Sequence, residues 1–504
     1  MFISKSKYVA GCQCPKILWM GQHMPDQFDE SVMNTAILTT GNEVGDLAMR
    51  YFGRFVEVPY ERGAYADMAR MTEELLAAGE PTICEATFMQ DGCFCMVDIL
   101  RAGADGVDLI EVKSSTHAKD YHLTDIAFQL WLVERCGLRV KSASLMHLNP
   151  EYVRHGELDL KQLFVLEDVT DVARARAQDV PRTVQDLMRL CEQSAEPDLP
   201  LGPQCNSPFE CGYRSWCWRD VPQPNVHQIG RLRAARAWEL HEAGIVSFAD
   251  AAAAIQAGAL DLNPRQVDQV MAEVHQLDDV VRREEIRVFL DTLTYPLYYL
   301  DFETLMPAVP PYDGMRPYQQ LPTQYSLHWQ DGPGAAPQHA EFLAEPEEDP
   351  RRAIAERLCA DIPLDACVVA YNMAFEKARL RELAERFSDL REHLMAIHDN
   401  MADLMVPFAR GSYYSRAMQG SCSIKHVLPA LFPDDPELDY ATLKGVQNGG
   451  QAMDAYAALA DCGSEEAARV REQLLRYCEL DTFAMVKIVD KLRHAATPDP
   501  PNAP

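Results

Sequence analysis

The sequence predicts a multidomain α/β protein, and three observations carry that expectation. At 504 residues the chain exceeds what one hydrophobic core supports, so two to four domains are expected. Short apolar and aromatic runs such as CFCMVDIL, DLIEVKSS and PLYYLDFET read as strands, and they are interspersed with segments of helical period. Composition also shifts along the chain. Residues 1–220 end in a cysteine-rich stretch, VPQPNV (221–226) marks a boundary, 227–290 has helical spacing, and an α/β pattern runs over 296–493.

Within the central section, RLRAARAWELHEAGI places apolar residues at helical spacing and stops at Gly244. LNPRQVDQVMAEV predicts another helix, with Asn263 as N-cap and Pro264 at its first position. Residues 227–290 are therefore expected to be a helical connector. The end of the chain, 494–504, is Pro-rich and predicted to be disordered.

Composition narrows the function classes. Hydrophobic residues make up 47% and charged residues 24%, as in soluble globular proteins. No apolar run reaches the length of a membrane span, and the N-terminus lacks the apolar core of a signal peptide. A cytoplasmic protein without a membrane partner is expected. The net charge of −29 counts against a polyanion partner. Binding follows the local field, however, and clustered carboxylates are what a divalent cation needs. Fifteen cysteines without a secretory signal do not suggest a disulfide framework, and most of them stand singly.

In GCFCMVDILRAGADGVDLIEVKSST, two strands flank an Ala-Asp-Gly turn. Glu111 and Lys113 lie two apart on the second strand and share a face, and Asp98 on the first can join them. Two carboxylates and a lysine on one sheet face suit a Mg²⁺ or Mn²⁺ site, with the lysine placed to stabilise developing phosphorane charge. A solvent-facing Glu–Lys pair would show the same spacing. The next helix, HLTDIAFQLWLVERCG, carries Gln129 and stops at Gly137.

Asp98, Glu111-x-Lys113 and Gln129, in that order, resemble the PD-(D/E)xK nuclease superfamily in its RecB-like branch. The resemblance implies a restriction-endonuclease-like domain over 1–220, with these four residues catalytic and Asp98 and Glu111 holding metal. GNEVGDLAMRYF resembles the family's first motif, with Glu43 as an outer ligand. Val133 stands where many members carry Tyr. Cys205, Cys211 and Cys217 are six apart and Cys14 lies far upstream in CPKILW. Four such thiolates suit an iron–sulfur cluster stapling the ends of the domain, with Cys₄ zinc as the alternative. RecB-like nucleases with a [4Fe–4S] cluster share this layout, which assigns Cys14, in preference to Cys12, as the first ligand.

In YYLDFET, Asp301 and Glu303 share a strand face and repel one another unless a cation or proton intervenes. Asn372 and Glu376 follow at a strand–helix junction, and Tyr477 and Asp481 lie four apart on a late helix. This order resembles the DEDDy exonucleases of the ribonuclease-H-like fold. It implies a 3′→5′ exonuclease site with Asp301, Glu303, Glu376, Tyr477 and Asp481 catalytic, Asp301, Glu303 and Asp481 on the metals, and Tyr477 orienting water. The family usually has Asp where Glu376 stands, and Asp403 is a substitute. Ser423 and Lys425 in SCSIKHVLP are placed to contact phosphate. The whole arrangement, an iron–sulfur RecB-like module followed by a DEDD-like module, resembles a family of uncharacterised bacterial proteins. The expectation is a metal-dependent nuclease, on DNA more than RNA. The alternatives are a nucleic-acid-binding scaffold with degenerate sites and a phosphodiesterase of small nucleotides.

Overall fold

The computed structural model describes residues 2–32, 35–346 and 348–497, the side chains of 35–38 excepted. The chain is mixed α/β and forms two compact units. The first comprises Met1–Asp220 with Pro307–Gln319; the second comprises Val221–Met306 and the chain from Gln320 onward.

The first unit is built on a seven-stranded sheet: β1 (Ile3–Ser4), β2 (Val56–Glu57), β3 (Thr82–Gln90), β4 (Cys93–Gly103), β5 (Gly106–Lys113), β6 (Val140–Leu148) and β7 (Phe164–Asp168). The order is β2-β3-β4-β5-β6-β7, with β1 beside β4. Helices α1 (Lys5–Gln13), α2 (Pro15–His23), α3 (Thr35–Met49), α4 (Tyr65–Ala77) and α5 (Asp120–Arg135) pack on it, and the helices Thr170–Ala177 and Val180–Cys191 add Ala173, Val180, Val184 and Leu187 to its core. Strands β3 to β5 form an antiparallel meander, and α5 is the crossover to β6, which lies parallel to β5.

Side-chain alternation along a strand puts successive residues on opposite faces, and here that alternation breaks at one place. Cys93, Cys95 and Val97 of β4 enter the core under Phe128 and Leu132 of α5. Beyond Asp98 the faces exchange, so that Leu100 joins this core and Ile99 turns to the opposite one. β3 makes the same exchange at Glu85, whose φ of +55° is left-handed, a region few residues other than glycine adopt. A paired irregularity in adjacent strands thus sets Glu85 and Asp98 apart from the regular pleat.

The second unit begins with helices at Ala234–Glu242, Phe248–Gln256, Pro264–His275 and Arg283–Leu290. Asn263 caps the third through a capping box with Gln266, as its sequence position predicts, and Gly244 adopts the expected positive φ after the first. After a short β8 (Val280–Val281), a five-stranded sheet follows: β9 (Leu297–Leu305), β10 (Leu321–Gln330), β11 (Gln338–Leu343), β12 (Cys367–Ala370) and β13 (Met401–Asp403). Its order is β11-β10-β9-β12-β13, antiparallel from β11 to β9 and parallel from β9 to β13. The helix Ser464–Ala496 is fastened to β10 by side-chain bonds. Gln324 Nε2 donates to the Leu474 carbonyl at 2.9 Å, and Thr482 Oγ1 meets Ser326 Oγ at 2.7 Å and His328 Nδ1 at 2.8 Å.

The grouping departs from the sequence expectation in three places. Residues 227–290, expected to be a connector, group with the second unit, although residues 226–274 hold an apolar cluster of their own. Pro307–Gln319, expected inside the 296–493 domain, joins the first unit, because Ala308 and Val309 pack in its core and Tyr318 Oη donates to the Ser114 carbonyl at 2.7 Å. The last helix continues to Ala496, into the stretch expected to be disordered from 494; residues 498–504 of that stretch lie outside the described residues. Among the described residues, no helix is long and apolar enough to cross a membrane.

The His328 contact yields a pH prediction. Burial, with His339 adding to it, pushes the ring of His328 down to about 3. Between that value and the ordinary value of about 6.5, the unfolded chain binds a proton that the folded one refuses. The contribution is therefore complete above pH 6.5 and is lost as pH falls towards 3, by up to about 1.4 kcal/mol per pH unit. Melting of the second unit, followed from pH 7 to 4.5, should fall less steeply in His328→Gln than in the parent. Equal slopes would remove His328 as the cause.

Candidate metal centres

The first centre forms where β4, β5 and α5 meet. The regular β4–β5 pairs end at Ile99 and Ile110 on this side, and Asp98 Oδ2 accepts the Val112 N–H at 2.7 Å. Glu111 is buried at the middle of a polar web. Lys113 Nζ donates to Glu111 Oε1 and to Asp125 Oδ2, each at 2.7 Å, while Gln129 Nε2 donates to Glu111 Oε2 at 2.7 Å and Asp125 Oδ1 at 3.0 Å. Lys5, at the start of α1, reaches the same acids: Asp98 Oδ1 at 3.2 Å and Glu111 Oε1 and Oε2 at 2.9 and 3.1 Å. The web borders a cavity of about 670 Å³ that Lys5, Glu85, Asp98, Glu111, Lys113 and Asp125 line in part.

Electrostatics separate the acids. Burial pushes the Asp98 carboxyl up to about 6, helped by the Glu111 charge. Burial would raise Glu111 too, but Lys113 and Lys5 outweigh it and hold this carboxylate well below its usual range. Burial and the nearby Asp98 take Glu85 up to about 8. The Gln129 Oε1 is buried without a hydrogen-bond partner, so its amide has acceptor capacity in hand. The donor set fits a divalent cation: two carboxylates across a strand pair, with further acids around the same cavity.

The second centre lies on β9 and the Ser464–Ala496 helix. Oxygens of Asp301, Glu303 and Asp481 fall within 4.8 Å of one another, a spacing suited to metal. Their pairing on the sheet is regular: Asp301 opposes Ser326, Glu303 opposes Gln324, and both lie beyond the last β9–β12 pair, Tyr299–Val369. Burial raises the Asp301 carboxyl well above its ordinary value, reinforced by Asp481, Glu303 and Glu376. Burial and Asp481 push Glu303 up to about 8. Like charges gathered out of water in this way favour protonation or a cation.

Glu376 is in the first turn of the helix Ala374–Arg386, which follows β12 through Asn372 at a φ of +65°. It is buried, its Oε2 has no hydrogen-bond partner, and burial raises its carboxyl to about 8. A buried, unsatisfied carboxylate is costly unless a ligand completes it, so this acid also fits a cation. Asp403, the expected substitute, is otherwise engaged: its Oδ1 accepts the N–H groups of Asn372 and Met405, both at 2.9 Å. Tyr477 is buried beside the trio. Lys425 Nζ lies 4.6 Å from its ring centroid, 3.1 Å from that of Tyr440, and 3.3 Å from Asp481 Oδ1. Tyr440 Oη donates to the same Asp481 oxygen at 2.5 Å.

The thiols of Cys14, Cys205, Cys211 and Cys217 form a third group, close enough to perturb one another. Cys14 stands at the α1–α2 junction, where the backbone N–H groups of Lys16 and Ile17 lower the cost of ionising its thiol, as that of Tyr213 does for Cys211. Burial pushes the Cys211 thiol up to about 11, so without a cation it is protonated. Four thiols this close, with backbone N–H groups that favour their ionised form, suit thiolate ligands, and the donor set fits an iron–sulfur cluster or zinc. Cys12 is influenced by Tyr8 and not by the other thiols of this group. Gln13 Nε2 ties α1 to the later loop by donating to the carbonyls of Gln204 and Phe209, both at 2.8 Å.

All four N-terminal residues singled out in the sequence meet in one web, as do Asp301, Glu303 and Asp481, with Glu376 and Tyr477 beside them. Glu43 does not join: it is exposed, and Asp46 lines the cavity from the same helix. Sequence reasoning missed Lys5, Glu85, Asp125 and Tyr440. Asp125 was detectable, since it precedes Gln129 by four residues on one helix face. Lys5 and Tyr440 were not, because they reach their partners across 93 to 106 and 41 residues.

Residues 298–423 match a family described as a domain of unknown function, DUF2779. The match includes Asp301, Glu303, Glu376 and Asp403 and ends before Tyr477 and Asp481. A protein of Mycoplasma pneumoniae (strain ATCC 29342 / M129 / Subtype 1), described as "Uncharacterized protein MG366 homolog", is 30% identical over 222 residues, covering 38% of this chain and 31% of that protein. The alignment thus spans about a third of the length of this curated relative. No solved structure matches.

Proposed function

We propose that this chain is a metal-dependent nuclease that hydrolyses phosphodiester bonds, in DNA more than RNA, with a 3′→5′ exonuclease-like centre in the second unit and a RecB-like centre in the first. The carrying observation is the trio Asp301, Glu303 and Asp481, two of them half-buried and Asp481 buried, whose oxygens lie within 4.8 Å of one another beside the unsatisfied Glu376. So much confined negative charge is destabilising unless used, and groups of perturbed acidity gather at functional sites. The antiparallel-then-parallel strand order around β9 supports a ribonuclease-H-like reading, and the Asp98–Glu111–Lys113–Gln129 web supports a PD-(D/E)xK-like one.

Divalent metal at such centres supplies Lewis acidity and a nucleophilic water at neutral pH. The protein's own groups do the rest. Tyr477, kept neutral by burial and the nearby acids, presents a phenol that orients a water by hydrogen bonding. Lys425 puts a positive charge beside Asp481 and can follow charge as it grows on a phosphoryl oxygen. In the first unit Lys113 has that task, its ammonium kept charged, against the cost of its burial, by Glu111 and Asp125. Cys14, Cys205, Cys211 and Cys217 are proposed to hold a [4Fe–4S] cluster, zinc being the alternative.

End-labelled single- and double-stranded DNA and RNA test this reading. With Mg²⁺ or Mn²⁺ the polymers should shorten from the 3′ end and release nucleoside monophosphates, and EDTA should stop the reaction. Binding without metal-dependent shortening would refute hydrolysis and favour a scaffold. Turnover of dinucleotides in preference to 30-mers would move the substrate to small nucleotides.

A further inference from the structure

We propose that Lys5 is a built-in counter-cation of the first centre, which divalent metal must displace, so that metal and a phosphodiester load this site cooperatively. The inference rests on reading Asp98 and Glu111 as metal ligands. It starts from how their oxygens are used. Asp98 Oδ2 is engaged by the Val112 N–H; Glu111 Oε1 and Oε2 are held from behind by Lys113 and Gln129. What remains is the space between Asp98 Oδ1 and the two Glu111 oxygens, and the Lys5 ammonium, which has three protons to give, spans it with three contacts of 2.9 to 3.2 Å.

A divalent ion joining the same two carboxylates would sit about 2.0–2.2 Å from their oxygens. It would then share the gap with Lys5, and two cations at that range repel strongly in a poorly screened site. One must leave. The backbone of Lys5 is not free to do so. Ile3 and Ser4 pair with Cys93 and Phe94 of β4, and the Ser4 side chain caps α1 by accepting the Lys7 N–H at 3.2 Å. The side chain is free, being 24% exposed on a flexible stem at the cavity wall.

Leaving costs Lys5 two carboxylate partners, and a phosphodiester in the cavity offers it a replacement anion. Metal binding would release Lys5 for phosphate, and phosphate would draw Lys5 off the acids and open the metal position. By linkage each ligand then strengthens the other. Lys113 shares Glu111 Oε1 with Lys5 but has Asp125 as its second partner and makes no bond to Asp98, so it does not bridge this gap and would stay in place.

The test measures Mn²⁺ binding, by calorimetry and by the electron paramagnetic resonance of free Mn²⁺, in full-length protein carrying Asp301→Ala and Glu303→Ala to silence the second centre. Adding Lys5→Met should tighten Mn²⁺ binding at least tenfold. A phosphorothioate oligonucleotide should tighten Mn²⁺ binding in the Lys5 parent and have a smaller effect in Lys5→Met. If Lys5→Met is less stable, Mn²⁺ should raise its melting temperature more than it raises the parent's. Equal or weaker binding in Lys5→Met, with binding abolished by Glu111→Gln, would overturn the displacement while leaving the metal site standing. No Mn²⁺ binding in either protein would overturn both.

Discussion

Asp301→Asn is expected to reduce metal-dependent release of nucleotides from 3′ ends by about 10³-fold or more, while leaving the metal-free fold as stable as before or more so. The two halves of this result come from one cause. Asp301, Glu303 and Asp481 are confined within 4.8 Å, and their mutual repulsion adds to the burial that raises Asp301 well above its ordinary value. Asn relieves the metal-free protein, because at neutral pH the fold must either protonate Asp301 or hold its charge against its neighbours, and either costs stability that an amide does not. It also removes a ligand from the place where transition-state charge must be met, and single electrostatic contacts of that kind are worth about 10²–10³ in rate, a metal ligand at the upper end. Initial rates on a 3′-labelled strand and melting curves in EDTA measure both halves. Activity within a few-fold of the parent, or a large loss of metal-free stability, would mean that the trio is structural. Function and stability pulling apart at one residue is what separates a working centre from a solvated acidic patch.

The second large effect is expected at Cys211. Protein handled without oxygen should be brown and contain iron and sulfide, and Cys211→Ala should be colourless with a markedly less stable first unit. The physical reason is chain topology. Cys14 lies about 190 residues before the other three cysteines. A bond across a loop of that length restricts the unfolded chain by on the order of 5 kcal/mol in the cross-link model. Other bonds already join the same parts of the chain, among them Gln13 to the Gln204 and Phe209 carbonyls, Lys16 to Glu196 at 2.5 Å, Trp19 Nε1 to the Gln193 carbonyl at 2.9 Å and Asp29 N–H to the Gly212 carbonyl at 2.9 Å, so the cross-link adds to a junction that is held elsewhere too. Metal analysis with thermal melting decides the matter. Colourless parent protein with stoichiometric zinc would replace the iron–sulfur assignment, and unchanged stability in Cys211→Ala would show that the four thiols carry no cross-link.

How much was legible beforehand depended on the distance over which each feature is encoded. The strand pair carrying Asp98, Glu111 and Lys113, the Gln129 helix, the Asn263 cap and the Tyr477–Asp481 face all follow from spacing within about twenty residues, where strand and helix periods apply directly. The exchange of faces at Glu85 and Asp98 was not legible. A regular alternation describes each strand separately, whereas the break occurs in two strands together and belongs to their packing. The grouping of 307–319 is hidden for a similar reason: the sequence places it between strands of the second unit's sheet, but Ala308, Val309 and Tyr318 find their partners in the first unit, to which the segment belongs.

The sequence by itself determined the α/β class, the order of acidic motifs and the four cysteines, since each is a local pattern of residue type and period. Tertiary structure alone decided the charge balance of the centres. It set Lys5 between Asp98 and Glu111, turned Asp403 to backbone N–H groups, and left a Glu376 oxygen without a partner. These are contacts between groups far apart in the chain, and their energies depend on burial and on neighbours that no local period encodes.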